Sequence, residues 1–164
     1  MNRIFEEYVE SYSEDLSRLC LSLCLNTQDA EDLFQDTWLK AIKNYSKYNS
    51  SYPFDKWLYS ICVNTFKNTL KLGYNKNKAI FNTLEDKEFY INSIPDNSTL
   101  TPEAYLELRK IISDLPKKLR TVLILKSFKD YSLKEIAEML NIPEGTVKSR
   151  LHNAKSIIKR RLGE

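Results

Sequence analysis

Apolar residues recur along most of this chain at the three-and-four spacing of an α-helix, and no stretch alternates as a strand would. Phe5, Tyr8, Val9 and Tyr12 form one stripe that Leu16, Leu19, Cys20 and Leu23 continue, which predicts an N-terminal helix or helix pair. Asn26 and Thr27 interrupt it. Ala30, Leu33, Phe34, Thr37, Trp38 and Ala41 then mark the buried face of a helix ending near Tyr45, with Glu31, Asp32, Gln35, Asp36 and Lys40 outward. Residues 47–53 are polar and aperiodic and end in Pro53, so a loop is expected. Asp55 is placed to cap the next helix. That helix would bury Trp57 or Leu58, Ile61, Cys62, Thr65 and Phe66, leaving Lys56, Tyr59, Asn64, Lys67, Asn68 and Lys71 exposed.

Between Gly73 and Thr101 the chain turns to Asn, Ser, Asp and Lys without a sustained stripe, the mark of a linker. Pro102 suits a first helical position, and Leu106, Leu108, Ile111, Ile112 and Leu115 follow at helical spacing. Pro116 opens another helix with Leu119, Val122, Leu123 and either Ile124 or Leu125 inward. Ser132 and Glu135 then make a capping box ahead of Leu133, Ile136, Ala137 and Leu140. Asn141-Ile142-Pro143 breaks that helix, because a residue before proline avoids helical geometry while proline fits a new first turn. A last helix is predicted over 144–162 with Val147, Leu151, Ala154 and Ile158 inward. The fold expected is all-α: two small helical domains, 1–72 and 102–164, joined by an irregular linker, 73–101.

Two short amphipathic helices around a proline turn suggest a helix-turn-helix that docks on duplex DNA, its second helix lying in the major groove. Lys148, Ser149, His152, Asn153 and Lys155 project away from the apolar stripe of that helix. The competing reading is a helical hairpin whose lysines are merely solvated. Charge placement argues against it: Lys148, Arg150, Lys155, Lys159, Arg160 and Arg161 accompany one acid, Glu144, across residues 144–161. Such clustering is the footprint of phosphate binding.

Overall charge hides this segregation. The 164 residues carry a net +3, yet positions 1–45 hold nine acids against Arg3, Arg18, Lys40 and Lys43. Positions 46–79 reverse the balance, with Lys47, Lys56, Lys67, Lys71, Lys76 and Lys78 against Asp55 alone. Alternating blocks imply different partners for different segments. Cys20, Cys24 and Cys62 sit among apolar residues, which suits buried thiols in a reducing compartment. Cys20 and Cys24 at i, i+4 could be half a metal site, but His152, the one histidine, lies far off in sequence, so no metal and no cofactor are expected. No apolar run approaches the roughly 20 residues of a membrane span and no signal-peptide pattern opens the sequence, so a soluble cytoplasmic protein is expected. No nucleophile, base and orienting acid come together, and three glycines cannot build a phosphate-cradling loop; an enzyme is not expected.

Two stretches resemble a known family. Asp29-Ala-Glu-Asp-Leu-Phe-Gln-Asp-Thr-Trp-Leu-Lys-Ala41 with Phe54-Asp-Lys-Trp-Leu-Tyr-Ser-Ile-Cys-Val-Asn-Thr-Phe-Lys-Asn68 is similar to the second conserved region of the extracytoplasmic-function group of bacterial RNA polymerase sigma factors. Residues 115–150 are similar to its fourth region, and the two occur in the family's order. The resemblance implies that Asp32, Leu33, Gln35 and Asp36 bind the clamp coiled coil of the polymerase largest subunit, an acidic face meeting a basic one. It further implies that residues 47–54 receive a flipped base of the opened −10 element. Tyr48, Tyr52, Lys56, Tyr59, Asn64 and Lys67 would then hold the separated strand, a mixture of cations, rings and amides that suits splayed bases. Trp57 reads equally as core or DNA-facing. For the −35 element the resemblance assigns base-edge or phosphate duties to Lys148, Ser149, His152 and Asn153. Lys126, Arg150 and Lys155 would serve as backbone contacts. His152 and Asn153 replace the bulkier aromatic or basic residues common there, which points to a different promoter sequence. The partners implied are core polymerase, including its flap region for the C-terminal domain, promoter DNA, and an anti-sigma protein, with the chain at the nucleoid once polymerase-bound.

The linker can be judged by reach. Promoter elements about 25 base pairs apart are separated by roughly 85 Å at about 3.4 Å per pair. About 28 linker residues, extended at about 3.3 Å each, cover roughly 92 Å. A flexible coil of that length averages only about 30 Å, so spanning requires a linker stretched along a partner.

Overall fold

In a computed structural model that describes residues 3–24, 26–69 and 99–163, the described residues form seven α-helices and one 3-10 turn and no strand. Helix α1, Arg3–Leu23, is one continuous helix rather than a pair, because its two apolar stripes stay in phase and bury Phe5, Leu16, Leu19, Cys20 and Leu23 on one side. Helix α2, Thr27–Asn44, returns beside it and ends in a 3-10 turn at Tyr45–Lys47. After the loop, α3, Phe54–Thr69, closes a three-helix unit. Rings pack its upper end: Tyr8 stacks on Phe54 at 3.8 Å, and Phe5 meets Trp38 edge-on at 5.8 Å.

One expected cap is corrected. Helix α3 begins at Phe54, and the Trp57 amide donates to the Pro53 carbonyl at 3.2 Å, so Asp55 lies inside the first turn. Its carboxylate instead accepts the Tyr131 hydroxyl at 2.9 Å, from the other half of the chain.

The second unit comprises α4, Pro102–Asp114; α5, Lys117–Lys129; α6, Leu133–Leu140; and α7, Glu144–Arg161. Thr101 caps α4 by accepting the Ala104 amide at 3.1 Å, with Pro102 in the first turn where no amide hydrogen is needed. Val122, Leu125, Ile136, Val147 and Ala154 fill its interior. The expected linker 73–101 lies outside the described residues except for its last three positions.

The two units touch. Helix α5 packs on α1 and α6 packs on α3, and buried residues of both units join one continuous apolar cluster. Tyr59 of α3 meets Phe128 of α5 edge-on at 5.5 Å. Two buried guanidiniums cover the C-terminus of α1, where unpaired carbonyls concentrate negative partial charge. Arg109 donates to Ser22 O at 2.7 Å, to Cys24 O at 2.9 Å and also to Leu21 O. Arg120 donates to Leu23 O at 3.1 Å. Burial and the neighbouring Arg109 push Arg120 down to about 10, which leaves it charged at neutral pH. Deeper in the first unit the thiols of Cys20 and Cys62 lie 3.8 Å apart, both free and buried. Among the described residues no helix is long and apolar enough to cross a membrane.

Candidate protein- and nucleic-acid-binding surfaces

The acidic helix α2 is fixed at its start by Asn26, whose side-chain oxygen accepts the Asp29 amide at 2.9 Å while its Nδ2 donates to the Asp29 carboxylate at 3.0 Å. That cap and the buried stripe of Ala30, Leu33, Thr37, Trp38 and Ala41 set the rotation of the helix. Asp32, Gln35 and Asp36 consequently stand exposed together on the far side. Leu33 is a correction: it retains 4% exposure and packs in the core, since it lies on the buried stripe with Ala30 and Thr37. Leu39 was not anticipated. It is 62% exposed, one turn beyond Gln35 and Asp36, and its departure from the apolar stripe was the available signal. A groove of about 410 Å³ beside this face, between α1 and α2, is lined by Leu21, Ala30, Phe34 and Gln35 among others.

The 47–53 loop is held by its own groups. Asn49 Oδ1 accepts the Ser51 amide at 3.0 Å and the Ser51 hydroxyl at 2.8 Å, and the Tyr48 hydroxyl donates to Tyr52 O. The Tyr48 ring lies against Trp57 at 4.8 Å, and both residues are half-buried. Asn64 and Lys67 are exposed on α3. Lys56 is not free: its ammonium meets the Glu135 carboxylate at 2.5 Å, which raises the lysine and holds Glu135 down at about 2. Tyr59 is a second correction. It is fully buried against Phe128, its hydroxyl has no hydrogen-bond partner among the described residues, and burial raises its pKa. The residues expected to hold a single strand are therefore divided into exposed Asn64 and Lys67, half-buried Tyr48 and Tyr52, paired Lys56, and buried Tyr59.

Both helices of the helix-turn-helix form as the pattern requires. Ser132 Oγ accepts the Glu135 amide at 3.1 Å while Glu135 Oε1 accepts the Ser132 amide at 3.0 Å, completing the capping box. Asn141 ends α6 in the left-handed region with φ 55°, a conformation that asparagine tolerates better than most residues, and the Ile142 amide returns to Ala137 O. Pro143 then launches α7. Val147, Leu151 and Ala154 anchor that helix, so Lys148, Ser149, His152, Asn153 and Lys155 are exposed as one polar, basic face. Arg150 is half-buried, and Lys126 pairs with Asp130 at 2.8 Å. Arg161 bonds Asp114 at 3.2 Å, tying the far end of α7 to α4.

Two family models match the sequence: Sigma-70 region 2 over residues 8–72 and Sigma-70, region 4 over residues 105–158. The chain is 30% identical over 166 residues to the ECF RNA polymerase sigma factor SigW of Bacillus subtilis, covering 96% of this chain and 88% of that protein. It is 31% identical over 168 residues to the RNA polymerase sigma-H factor of Pseudomonas aeruginosa, with 98% and 86% covered. Its fold resembles that of the sigma factor RpoE in complex with the anti-sigma factor NepR from Bartonella quintana, with TM-score 0.73, 20% identity and 98% of each chain covered. CnrH in complex with the cytosolic domain of CnrY is also similar, with TM-score 0.69, 19% identity, and 98% of this chain and 88% of that one covered.

Proposed function

The chain belongs to the extracytoplasmic-function (ECF) family of RNA polymerase sigma factors, and from that membership we infer how its surfaces divide the work of starting transcription. It binds core RNA polymerase and directs promoter recognition and initiation. Asp32, Gln35 and Asp36 of α2 contact the clamp coiled coil of the largest subunit, and Leu39 adds an apolar contact at the edge of the same face. An acidic surface steers toward a basic one and rejects like-charged partners.

Tyr48, Tyr52, Lys56, Asn64 and Lys67 engage the opened −10 strand. Cations track the backbone while rings stack on bases, so binding energy offsets the few kcal/mol needed to unstack each base. In α7, Lys148, Ser149, His152 and Asn153 meet base edges or phosphates of the −35 element, with Lys126, Arg150 and Lys155 on the backbone. The polymerase flap receives the C-terminal unit. An anti-sigma protein is included among the partners because the similar sigma factor RpoE is found in complex with the anti-sigma factor NepR.

The observation that supports this division best is the segregation of exposed charge: carboxylates on α2, a basic and polar face on α7. The test is a titration of fluorescently labelled full-length chain with core polymerase. Replacing Asp32 and Asp36 by Asn should weaken binding at least tenfold, and Lys148→Ala should leave it unchanged. Equal affinity for all three chains would contradict the assignment of α2.

A further inference from the structure

A cavity of about 520 Å³ lies where α3 meets the C-terminal unit. That volume falls inside the roughly 300 to 1,000 Å³ of small-molecule sites. Buried Val63 and Phe66 line it from α3, and half-buried Leu140 and Ile142 line it from the end of α6 and the turn after it. No surface assigned above accounts for this apolar lining.

Cations border it. Lys67 and Lys118 are exposed, Lys117 and Arg150 are half-buried, and no acid is among the described residues of the lining. Lys117 Nζ lies 5.0 Å from the centroid of the Phe66 ring. Burial, then the neighbouring Arg120, lower its pKa from the ordinary 10.5 to about 8, so an anion arriving beside it favours its charged form. Helix α5 adds the positive end of its dipole at Lys117 and Lys118, with no acid in its first turn and no side-chain cap among the described residues.

This composition selects among anions. A nucleotide base needs several donors and acceptors, and the neutral polar side chains of the described lining are two, Asn64 and Thr121. Inorganic phosphate would leave the apolar lining in contact with water. A helix about 10 Å across would place only about one turn in the volume. An alkyl chain ending in a carboxylate satisfies both halves of the site: its methylenes leave water against the apolar side chains, and its head group meets the cations. We propose that this cavity binds a free single-chain anionic amphiphile of the medium-chain fatty-acid class, its tail against Val63, Phe66, Leu140 and Ile142 and its carboxylate among Lys67, Lys118 and Arg150. Asn64, Lys67 and Arg150 are also placed on promoter DNA by the proposed function, so an occupied cavity withholds them from DNA. That consequence rests on the functional reading; the site itself does not.

Calorimetric titration of the full-length chain with decanoate tests the site. One-to-one binding with Kd below about 100 µM is expected, within reach of a ligand of about a dozen heavy atoms. Octanoate should bind roughly tenfold more weakly, since two fewer methylenes are buried. Decanol, with the same chain length and no charge, should also lose about tenfold or more, and acetate and inorganic phosphate should not bind measurably. Lys67→Glu with Lys118→Glu, both at exposed positions, should weaken decanoate about fivefold or more and leave decanol unchanged, a split that a damaged fold would not produce. In methyl-resolved NMR of the parent, decanoate should shift Val63, Leu140 and Ile142. Shifts centred on Leu39 and Ile42, which are exposed on α2, would show adsorption to an apolar surface and overturn the site. Equal affinity for decanol and decanoate overturns it too, as does sedimentation with phosphatidylglycerol vesicles by a chain that ignores free decanoate. Saturating decanoate should lower affinity for a fluorescein-labelled 15-nucleotide oligo-dT. Unchanged strand binding by a chain whose cavity methyls have shifted would uphold the ligand site and contradict the placing of Asn64 and Lys67 on the −10 strand.

Discussion

Replacing Arg109 by Met removes the donors at the C-terminus of α1 while keeping most of the aliphatic bulk. Arg109 retains 8% exposure, and its guanidinium bonds Leu21 O, Ser22 O and Cys24 O, the last two at 2.7 and 2.9 Å. A hydrogen bond to a charged group contributes about 1.5 to 3 kcal/mol net. The three share one cation and are not additive, and the freed carbonyls recover some water, so the lower figure counted twice, about 3 kcal/mol, is the expected loss. That is a factor of roughly a hundred in the equilibrium joining the units. Urea unfolding followed by far-ultraviolet circular dichroism measures it: at a slope of about 1 to 3 kcal/mol per molar, the midpoint should fall by about 1 to 3 M. A buried charge can also be replaced by an apolar side chain at no cost when the replacement packs well. A midpoint within about 0.3 M of the parent, or above it, would therefore refute the reasoning that these bonds hold α4 to α1.

The Lys56–Glu135 pair carries a pH signature. Glu135 is held at about 2 against an ordinary 4.5, so its contribution is fully present above about pH 4.5 and is lost as pH falls toward 2. The urea midpoint of the parent should fall across that window by more than that of Glu135→Gln, since the Asp15–Lys129 and Asp114–Arg161 pairs are common to both chains. Cys20 and Cys24 are buried with raised pKa values, Cys20 chiefly by its contact with Cys62 and Cys24 by burial. Mass spectrometry after iodoacetamide at pH 8 should find the native chain essentially unmodified and the urea-unfolded chain labelled three times. Rapid labelling of Cys20 or Cys62 in the native chain would contradict the packing of α1 on α3. Lys148→Ala should cost about 1 to 3 kcal/mol at one base pair of the −35 element. An equal loss on every promoter variant identifies a phosphate contact instead.

Helix-scale features were legible because they are local. Ser132 announces its helix, Pro102 a first turn and Asn141-Ile142-Pro143 a break, through chemistry completed within four residues; the caps made by Asn26 and Thr101 are equally local but were not read from the sequence. The exposed face of α7 followed from its apolar stripe alone. What escaped depends on distant partners. Arg109 and Arg120 look like surface cations until a helix end 85 or more residues away supplies their carbonyls. Asp55 reads as a cap because nothing local shows that Tyr131 claims its carboxylate. Lys56 and Tyr59 sit on the outward side of α3, but the pattern of one helix cannot reveal that Glu135 and Phe128 cover it. Leu33 and Leu39 were legible in principle, since the first lies on the apolar stripe and the second off it.

Core polymerase alone, this chain alone, and the two together, supplied with linear genomic fragments and nucleotides, test the central assignment most directly. The account predicts discrete run-off transcripts only from the mixture, starting at a shared promoter sequence and lost when Lys148 and Asn153 are both replaced by Ala. Sequence-specific duplex binding by the chain alone, with no transcript from the mixture, would contradict it and leave a helix-turn-helix regulator that acts without polymerase.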